Sequence, residues 1–103
     1  MNYKRVVTER AEEQLDRILR YLLERFHSKQ AARALMEDVE RTYVKLEYMA
    51  GAVQLCEDPF LAGKGYRKSA LEQHDYVILY QLEADTVYIN GIFHMLENYQ
   101  KKL

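Results

Sequence analysis

Two amphipathic helical patterns with almost no break between them constrain this fold more than any other feature. From Thr8 to Phe26, apolar residues recur at spacings of three and four, which places them on one helix face. A second pattern of the same kind follows Ser28 and continues to Val53. Thr8 and Ser28 are residues that commonly cap the start of a helix. Because the break is so short, the two helices are predicted to form an antiparallel hairpin.

After Gly65 the pattern changes to runs rich in tyrosine, valine, isoleucine and leucine, which favour β-strands. These runs are 66–71, 76–82 and 86–93, and a short β-favouring run at 3–7 precedes the first helix. The connections between the last three runs are short enough for hairpins. The chain is therefore predicted to be an α+β domain: an N-terminal strand and an antiparallel helix hairpin packed on a three- to four-stranded antiparallel sheet.

The segment 51–65 holds the only proline and three of the four glycines, which is typical of irregular structure. Since the helix hairpin covers one face of the sheet, the opposite face is predicted to carry polar and aromatic side chains open to a partner. With 103 residues, the chain is predicted to be a single domain over 1–103.

Composition narrows the class of protein. No apolar run approaches the ~20 residues that span a bilayer, and the N-terminus lacks the apolar region of a secretory signal. The single cysteine, Cys56, fits a reducing compartment, so we expect a cytoplasmic protein without a membrane partner. A net charge of −1 argues against a bulk nucleic-acid binder and leaves only local basic patches.

Signatures of common enzyme sites are absent from the sequence. It contains no glycine-rich phosphate loop, and its three histidines are far apart and lack matching cysteine pairs. We therefore predict neither a cofactor nor a metal. Glu57 and Asp58 disfavour a thiolate at Cys56, which is interpreted as a small buried residue rather than a nucleophile.

A local basic patch opens the first run after Gly65. It consists of Lys64, Arg67 and Lys68, with no acidic residue between them. Strand alternation places Arg67 on one face of the sheet, with Tyr66 and Lys68 on the other. A guanidinium can donate two parallel hydrogen bonds to a phosphate or a carboxylate. A charge that protects an edge strand from aggregation explains Arg67 equally well.

His94 and the tyrosines are the other candidate functional residues. His94 ends the last run, where an imidazole with an ordinary pKa near ~6.5 can serve as a general acid. It also fits a histidine that packs at the end of the sheet. The chain has nine tyrosines and no tryptophan. Those on or just after the last strands can stack on bases or on a partner, or can fill the core. They are Tyr76, Tyr80, Tyr88 and Tyr99.

The strand region resembles the small toxins of the RelE/ParE superfamily, which belong to type II toxin–antitoxin modules. The segments that carry the resemblance are Gly65-Tyr66-Arg67-Lys68, Asp75 to Tyr80, Val87-Tyr88-Ile89, Ile92-Phe93-His94 and the tail from Asn98-Tyr99 to Leu103. The order of strand, helix hairpin and three strands matches over almost the whole chain. The resemblance implies a toxin held inactive by a cognate antitoxin. The sequence leaves open whether the chain forms a homodimer or a toxin–antitoxin hetero-oligomer.

The superfamily contains two kinds of toxin. RelE-like members resemble ribonucleases that cut mRNA on the ribosome, whereas ParE-like members bind DNA gyrase and catalyse nothing. By resemblance, Lys64, Arg67, Lys68 and Tyr80 are expected to bind a phosphate or a partner. Arg67, His94 and Tyr99 are the expected catalytic residues if the chain is a ribonuclease.

Two departures from the RelE-like pattern favour the ParE-like function. Val77 stands where RelE-like members usually have an arginine, and 95–97, Met-Leu-Glu, replaces a basic pair. Glu97 would repel a phosphate at close range, and Arg67 alone would stabilise a dianionic transition state weakly. We therefore favour a non-catalytic inhibitor of DNA gyrase. A ribosome-dependent mRNA endoribonuclease and a degenerate, inactive homologue are the alternatives, and the question of enzymatic activity stays open.

Overall fold

The computed structural model describes residues 2–103, within which four strands and two long helices form the framework. The elements are β1 (Lys4–Val7), α1 (Glu9–Arg25), α2 (Lys29–Met49), a 3₁₀ turn (Ala50–Ala52), α3 (Pro59–Gly63), β2 (Tyr66–Ala70), β3 (Tyr76–Glu83), β4 (Thr86–His94) and a C-terminal 3₁₀ helix (Tyr99–Lys102). Both predicted long helices and all predicted strands are confirmed to within a few residues. The second helix ends at Met49 rather than at Val53, and α3 and the C-terminal 3₁₀ helix were not predicted.

The connection between α1 and α2 shows why the two helices form a hairpin. Both predicted caps are confirmed: the Thr8 hydroxyl accepts from the Ala11 amide at 3.3 Å, and the Ser28 hydroxyl accepts from the Ala31 amide at 3.0 Å. Between the helices, His27 adopts a left-handed backbone conformation with φ of 50°. This single residue reverses the chain, because left-handed geometry ends a helix abruptly.

The four strands form one sheet in the order β1-β4-β3-β2. The β2–β3 and β3–β4 pairs are antiparallel, as predicted. β1 instead lies parallel to β4, so the sheet is mixed and the prediction of an entirely antiparallel sheet was wrong for this pair. Local pattern does not determine the direction of a strand whose partner lies about 80 residues away.

The sheet buries side chains on both faces, because successive residues of β3 point to opposite sides. The inner face packs on α1 and α2. The inner core comprises Ala11, Leu35, Val39, Tyr43, Leu46, Ala50, Leu71, Ile78, Tyr80, Val87, Ile89 and Ile92. The smaller outer core comprises Cys56, Leu61, Tyr66, Val77, Leu79 and Phe93, with Tyr99 and Leu103 packed against it. Half of the outer face is therefore covered, contrary to the prediction that it is open.

The position of α1 is set by an edge of β4. β1 pairs with β4 only as far as Ile89, and beyond that point the edge of β4 that faces away from β3 has no strand partner. The side-chain oxygen of Gln14 accepts a hydrogen bond from the Ile92 amide at 2.9 Å and so satisfies this edge. None of the helices in the described part of the chain is long and apolar enough to cross a membrane.

A buried carboxylate joins α2 to the turn between β2 and β3. Asp38 is fully buried and accepts hydrogen bonds from the amides of Glu72 at 3.2 Å and Gln73 at 2.9 Å. Its other partners are His74 Nδ1 at 2.6 Å and Arg41 Nη2 at 3.4 Å. Burial alone would raise the pKa of Asp38, but the hydrogen bonds from His74 and from the two amides outweigh it and lower the pKa below its usual value.

Candidate interaction surfaces

Arg67 belongs to the inner side of the sheet, and its guanidinium is already engaged. It lies opposite Tyr80 in the strand register, and its Nη1 donates a hydrogen bond to the Val53 carbonyl. The neighbouring segment also pairs with β2, because the Cys56 amide donates to the Tyr66 carbonyl at 2.9 Å. Arg67 therefore ties the chain after α2 to the edge of the sheet.

The predicted basic patch is divided between two faces. Tyr66 and Lys68 pair with Gln81 and Leu79 on the outer face, which confirms the predicted alternation with Arg67. Lys64 also lies on this side, with its Nζ 4.4 Å from the centre of an aromatic ring, that of Phe60. Lys64 and Lys68 are thus exposed together, whereas Arg67 is turned away from them.

Tyr80 is a core residue rather than a surface residue. Its side chain is fully buried, and its hydroxyl donates a hydrogen bond to the Ala50 carbonyl at 2.9 Å. Burial raises the pKa of Tyr80 to about 12. This position leaves no exposed surface for a phosphate or a partner, contrary to expectation. Tyr88, which the sequence does not distinguish from Tyr80, lies on the outer face and is half-buried.

The open half of the outer face forms a polar cleft of about 400 Å³, called the outer-face cleft below. It is lined by Lys64, Gly65, Gln81, Leu82, Glu83, Tyr88 and Asn90. A chain of hydrogen bonds holds its floor: Asn90 Nδ2 donates to Gln81 Oε1, and Gln81 Nε2 donates to the Lys64 carbonyl, both at 2.6 Å. This half agrees with the prediction of polar and aromatic side chains open to a partner.

His94 is packed at the end of the sheet, which is one of the two interpretations that the sequence allows for it. It pairs with Tyr76 across the sheet, with the ring centroids 5.3 Å apart in an edge-to-face arrangement. Its Nδ1 accepts a hydrogen bond from the Leu96 amide at 3.2 Å. The ring is therefore positioned by the turn after β4.

Glu97 stabilises the C-terminal turn. Its carboxylate accepts from the His94 amide at 2.9 Å and from Lys102 Nζ at 2.6 Å. The hydrogen bond from Lys102 is the main cause of the lowered pKa of Glu97, against an opposing contribution from burial. Tyr99 continues this turn onto the outer core, with its ring 5.7 Å from that of Phe93. The negative charge of Glu97 is consequently paired with the positive charge of Lys102.

The three expected catalytic residues do not converge. Arg67 pairs in the strand register with Tyr80 of β3, and Tyr80 pairs in turn with Ile89 of β4. His94 lies five residues further along β4, a distance of about 16 Å at the usual rise of a strand. Tyr99 packs on the outer core, on the other side of the sheet.

Comparison with known families identifies the fold. The family model for the ParE toxin of the type II toxin–antitoxin system parDE matches residues 6–99. The chain belongs to the ParE toxin family. A solved structure of the chromosomal ParDE toxin–antitoxin system from P. aeruginosa aligns with a TM-score of 0.71 and 19% identity, covering 89% of this chain and 95% of that chain. At this identity the likeness concerns the fold. No curated protein matches.

Membership of the ParE family confirms the predicted RelE/ParE resemblance, and the structure explains one departure from the RelE-like pattern. Val77 is buried in the outer core beside Phe93, its partner in the strand register. The position where RelE-like members usually carry an arginine is thus part of the hydrophobic interior in this toxin.

One candidate interaction surface of this ParE-family toxin was not predicted from the sequence. Arg10, Arg17 and Arg25 share a flank of α1. Its first part faces the C-terminal turn, since Arg10 Nη1 donates to the Lys102 carbonyl at 3.1 Å and Arg17 lines a cleft with Glu97 and Lys102. The interleaved charges of α1 resemble an ordinary solvated face. The signal that could have revealed the flank is the spacing of seven and eight residues between these arginines.

Proposed function

We propose that this ParE-family toxin binds and inhibits DNA gyrase without catalysing a reaction, and that a cognate antitoxin holds it inactive. The observation that carries the proposal is the dispersal of the residues that RNA cleavage would need. Membership of the ParE family supports it independently.

RNA cleavage by attack of a 2′-hydroxyl needs a base, an acid and a cation around one phosphate. Here the Arg67 guanidinium donates to the Val53 carbonyl. Nδ1 of His94 accepts from the Leu96 amide. A non-catalytic inhibitor needs none of these groups to be free, so their structural roles favour binding over chemistry.

The outer-face cleft supports the proposal of a protein partner. It combines a half-exposed tyrosine, Tyr88, with a lysine, Lys64, and with amide side chains held in place by hydrogen bonds. Fixed polar groups beside an aromatic ring are typical of protein–protein interfaces. We infer that this cleft contributes to binding of gyrase or of the antitoxin.

Assays on purified components separate gyrase inhibition from mRNA cleavage. We expect the toxin, at stoichiometric amounts, to abolish supercoiling by DNA gyrase. Transcripts mapped by primer extension after induction should remain intact. Unimpaired supercoiling together with codon-specific cuts in mRNA would contradict the proposal and support the ribonuclease alternative.

A single variant sharpens this test. His94→Gln retains a polar side chain of similar size, but it cannot act as a general acid. We expect His94→Gln to inhibit gyrase and growth as the wild type does. Loss of growth inhibition in a variant with an unchanged melting temperature would show that His94 takes part in the reaction or in target binding.

The antitoxin is tested by co-expression with the product of the adjacent gene. The two proteins should co-purify, and the complex should no longer inhibit gyrase. Size-exclusion chromatography of the toxin alone and of the complex would distinguish a homodimer from a hetero-oligomer. A neighbouring product that does not bind the toxin would contradict this part of the proposal.

A further inference from the structure

Three arginines of α1 lie on one flank of the helix. Arg10, Arg17, Tyr21 and Arg25, here called the basic flank, lie within about 80° of the helix circumference. Glu9, Glu12 and Asp16 lie on other sides of the helix, whereas Glu13 borders the flank, four residues before Arg17 and in the same surface pocket. Glu24 lies at the border of the flank, beside Arg17, Tyr21 and Arg25. The flank is therefore a local positive surface on a chain whose net charge is −1.

The arginines of the basic flank are not neutralised by the rest of the described chain. Within residues 2–103, no carboxylate lies within 4.0 Å of a guanidinium nitrogen of Arg10, Arg17 or Arg25. Arg5 and Arg41, by contrast, each pair with two acidic side chains. The flank thus retains positive charge that a partner can neutralise.

A cleft of about 250 Å³ adjoins the flank, between α1 and the C-terminal turn. It is lined by Gln14, Arg17, Ile18, Ile92, Phe93, Glu97 and Lys102. Glu97 and Lys102 neutralise each other at 2.6 Å, which leaves Arg17 as the unpaired charge of the cleft. Because Gln14 Oε1 accepts from the Ile92 amide, its Nε2 group is left to donate. These donors suit a carboxylate or another oxyanion.

Exposed aromatic side chains at the end of the flank indicate that its partner is a protein rather than a nucleic acid. Tyr21 is 52% exposed and Phe26 is 61% exposed, with their ring centroids 5.4 Å apart edge-to-face. Arg25 lies 6.0 Å over the Tyr21 ring. The Phe26 ring and the Arg25 guanidinium already lie beside the Tyr21 ring, which leaves less of it for stacking on a base. A phosphate backbone offers no apolar surface to cover these rings, whereas an amphipathic peptide does.

We propose that the basic flank binds an acidic, amphipathic segment of the cognate antitoxin, with one carboxylate of the segment entering the cleft beside Arg17. Apolar side chains of the same segment cover Tyr21 and Phe26. This inference rests on the proposed toxin function, and it adds the binding surface and the chemistry of the segment bound there.

Charge reversal on matched helix surfaces tests the inference. The probe is the purified product of the adjacent gene, titrated by calorimetry at 50 mM and 300 mM NaCl. Arg17→Glu/Arg25→Glu should weaken binding at low salt at least tenfold, and most of that difference should disappear at high salt. Arg33→Glu/Lys45→Glu makes the same charge change on exposed residues of α2 and should alter the Kd less than threefold. Arg17→Lys/Arg25→Lys should retain most of the affinity.

Each outcome is separable from the others. If the wild type binds the probe and the Arg17→Glu/Arg25→Glu variant binds equally well, the inference is overturned while the toxin–antitoxin proposal stands. If the wild type does not bind the probe, the proposed antitoxin pairing fails, and the inference fails with it. If a 20-nucleotide oligothymidine binds the wild type and not the variant, the flank is a nucleic-acid surface and the inference is overturned. Circular dichroism melts confirm that all variants fold.

Discussion

The two faces of the sheet are covered by different kinds of segment. The inner core is covered by two long helices whose apolar residues recur with helical spacing. The outer core is covered by α3, which has five residues, and by a 3₁₀ helix of four. Long periodic helices bury a core cooperatively, whereas short segments depend on a few contacts each. The inner core should therefore determine global stability, and the outer core should open locally.

The largest expected effect comes from the carboxylate that joins the inner helices to the β2–β3 turn. Asp38→Ala leaves the amides of Glu72 and Gln73 and the His74 ring without their acceptor. We expect it to lower the free energy of unfolding by about 3–5 kcal/mol in urea denaturation at pH 7. A loss below about 1 kcal/mol would show that the turn does not depend on this carboxylate.

The lowered pKa of Asp38 also predicts that the free energy of unfolding depends on pH. Because its pKa is lower in the folded state, its contribution is fully present above the unfolded value near ~4 and is lost as the pH falls through the folded value. The wild type should lose stability below about pH 4 more steeply than Asp38→Asn. Equal slopes for the two proteins would contradict the lowered pKa.

Substitution of two equally buried leucines, one in each core, allows a direct comparison of the two cores. Leu35 in the inner core and Leu61 in the outer core are each 1% exposed. We expect Leu35→Ala to cost about 3–4 kcal/mol of global stability and Leu61→Ala about 2 kcal/mol, because a short helix relaxes around a cavity more easily. Leu61→Ala should also speed reaction of the buried Cys56 with a thiol reagent. Burial raises the pKa of this thiol in the wild type, so its reactivity reports opening.

Equal losses for the two leucine variants, with no change at Cys56, would show that the two cores unfold as one unit. Val39→Ala serves as a control for the thiol measurement. It removes a buried side chain of the inner core and should leave the reactivity of Cys56 unchanged under native conditions.

A smaller effect is expected from the hydroxyl of Tyr80. Tyr80→Phe preserves the ring in the inner core but removes the donor to the Ala50 carbonyl. We expect a loss of about 1 kcal/mol in the free energy of unfolding. Tyr88→Phe, on the open half of the outer face, should change stability by less than about 0.5 kcal/mol. A larger loss for Tyr88→Phe than for Tyr80→Phe would contradict their assignment to core and surface.

A gain in stability is expected at two positions of the backbone. His27 and Ala84 are non-glycine residues in the left-handed region, with φ of 50° and 54°. His27→Gly and Ala84→Gly should each raise stability by about 0.5–1 kcal/mol, because glycine adopts this region without a steric cost. Gly65, with φ of 80°, should respond oppositely: Gly65→Ala should be destabilising. Thermal melts measure all three variants.

Much of the fold was predictable because its signals are local. The helices follow from apolar spacing within each segment, and their starts follow from Thr8 and Ser28, whose side chains accept from amides three residues away. The β-hairpins follow from short connections between β-rich runs. The outer core was not predictable in this way, since it brings together Leu61 and Leu103, which lie far apart in sequence with β2, β3 and β4 between them.

The candidate site was less predictable than the fold. Arg67 and His94 are residue types suited to catalysis, but the sequence does not show that each already has a structural partner. Tyr80 and Tyr88 occupy similar sequence positions, yet β3 turns one into the core and β4 turns the other outward. Which polar group is free depends on which contacts the folded chain has already made.

The sequence by itself determined the helices, the hairpins and the resemblance to the RelE/ParE superfamily, because periodicity, caps and ordered motifs are properties of short segments. Tertiary structure decided the parallel pairing of β1, the burial of Tyr80 and the clamp between Asp38 and His74, which are 36 residues apart. Such contacts depend on how distant segments are brought together. Their energies come from desolvation and from hydrogen-bond geometry, which exist only after the chain has folded.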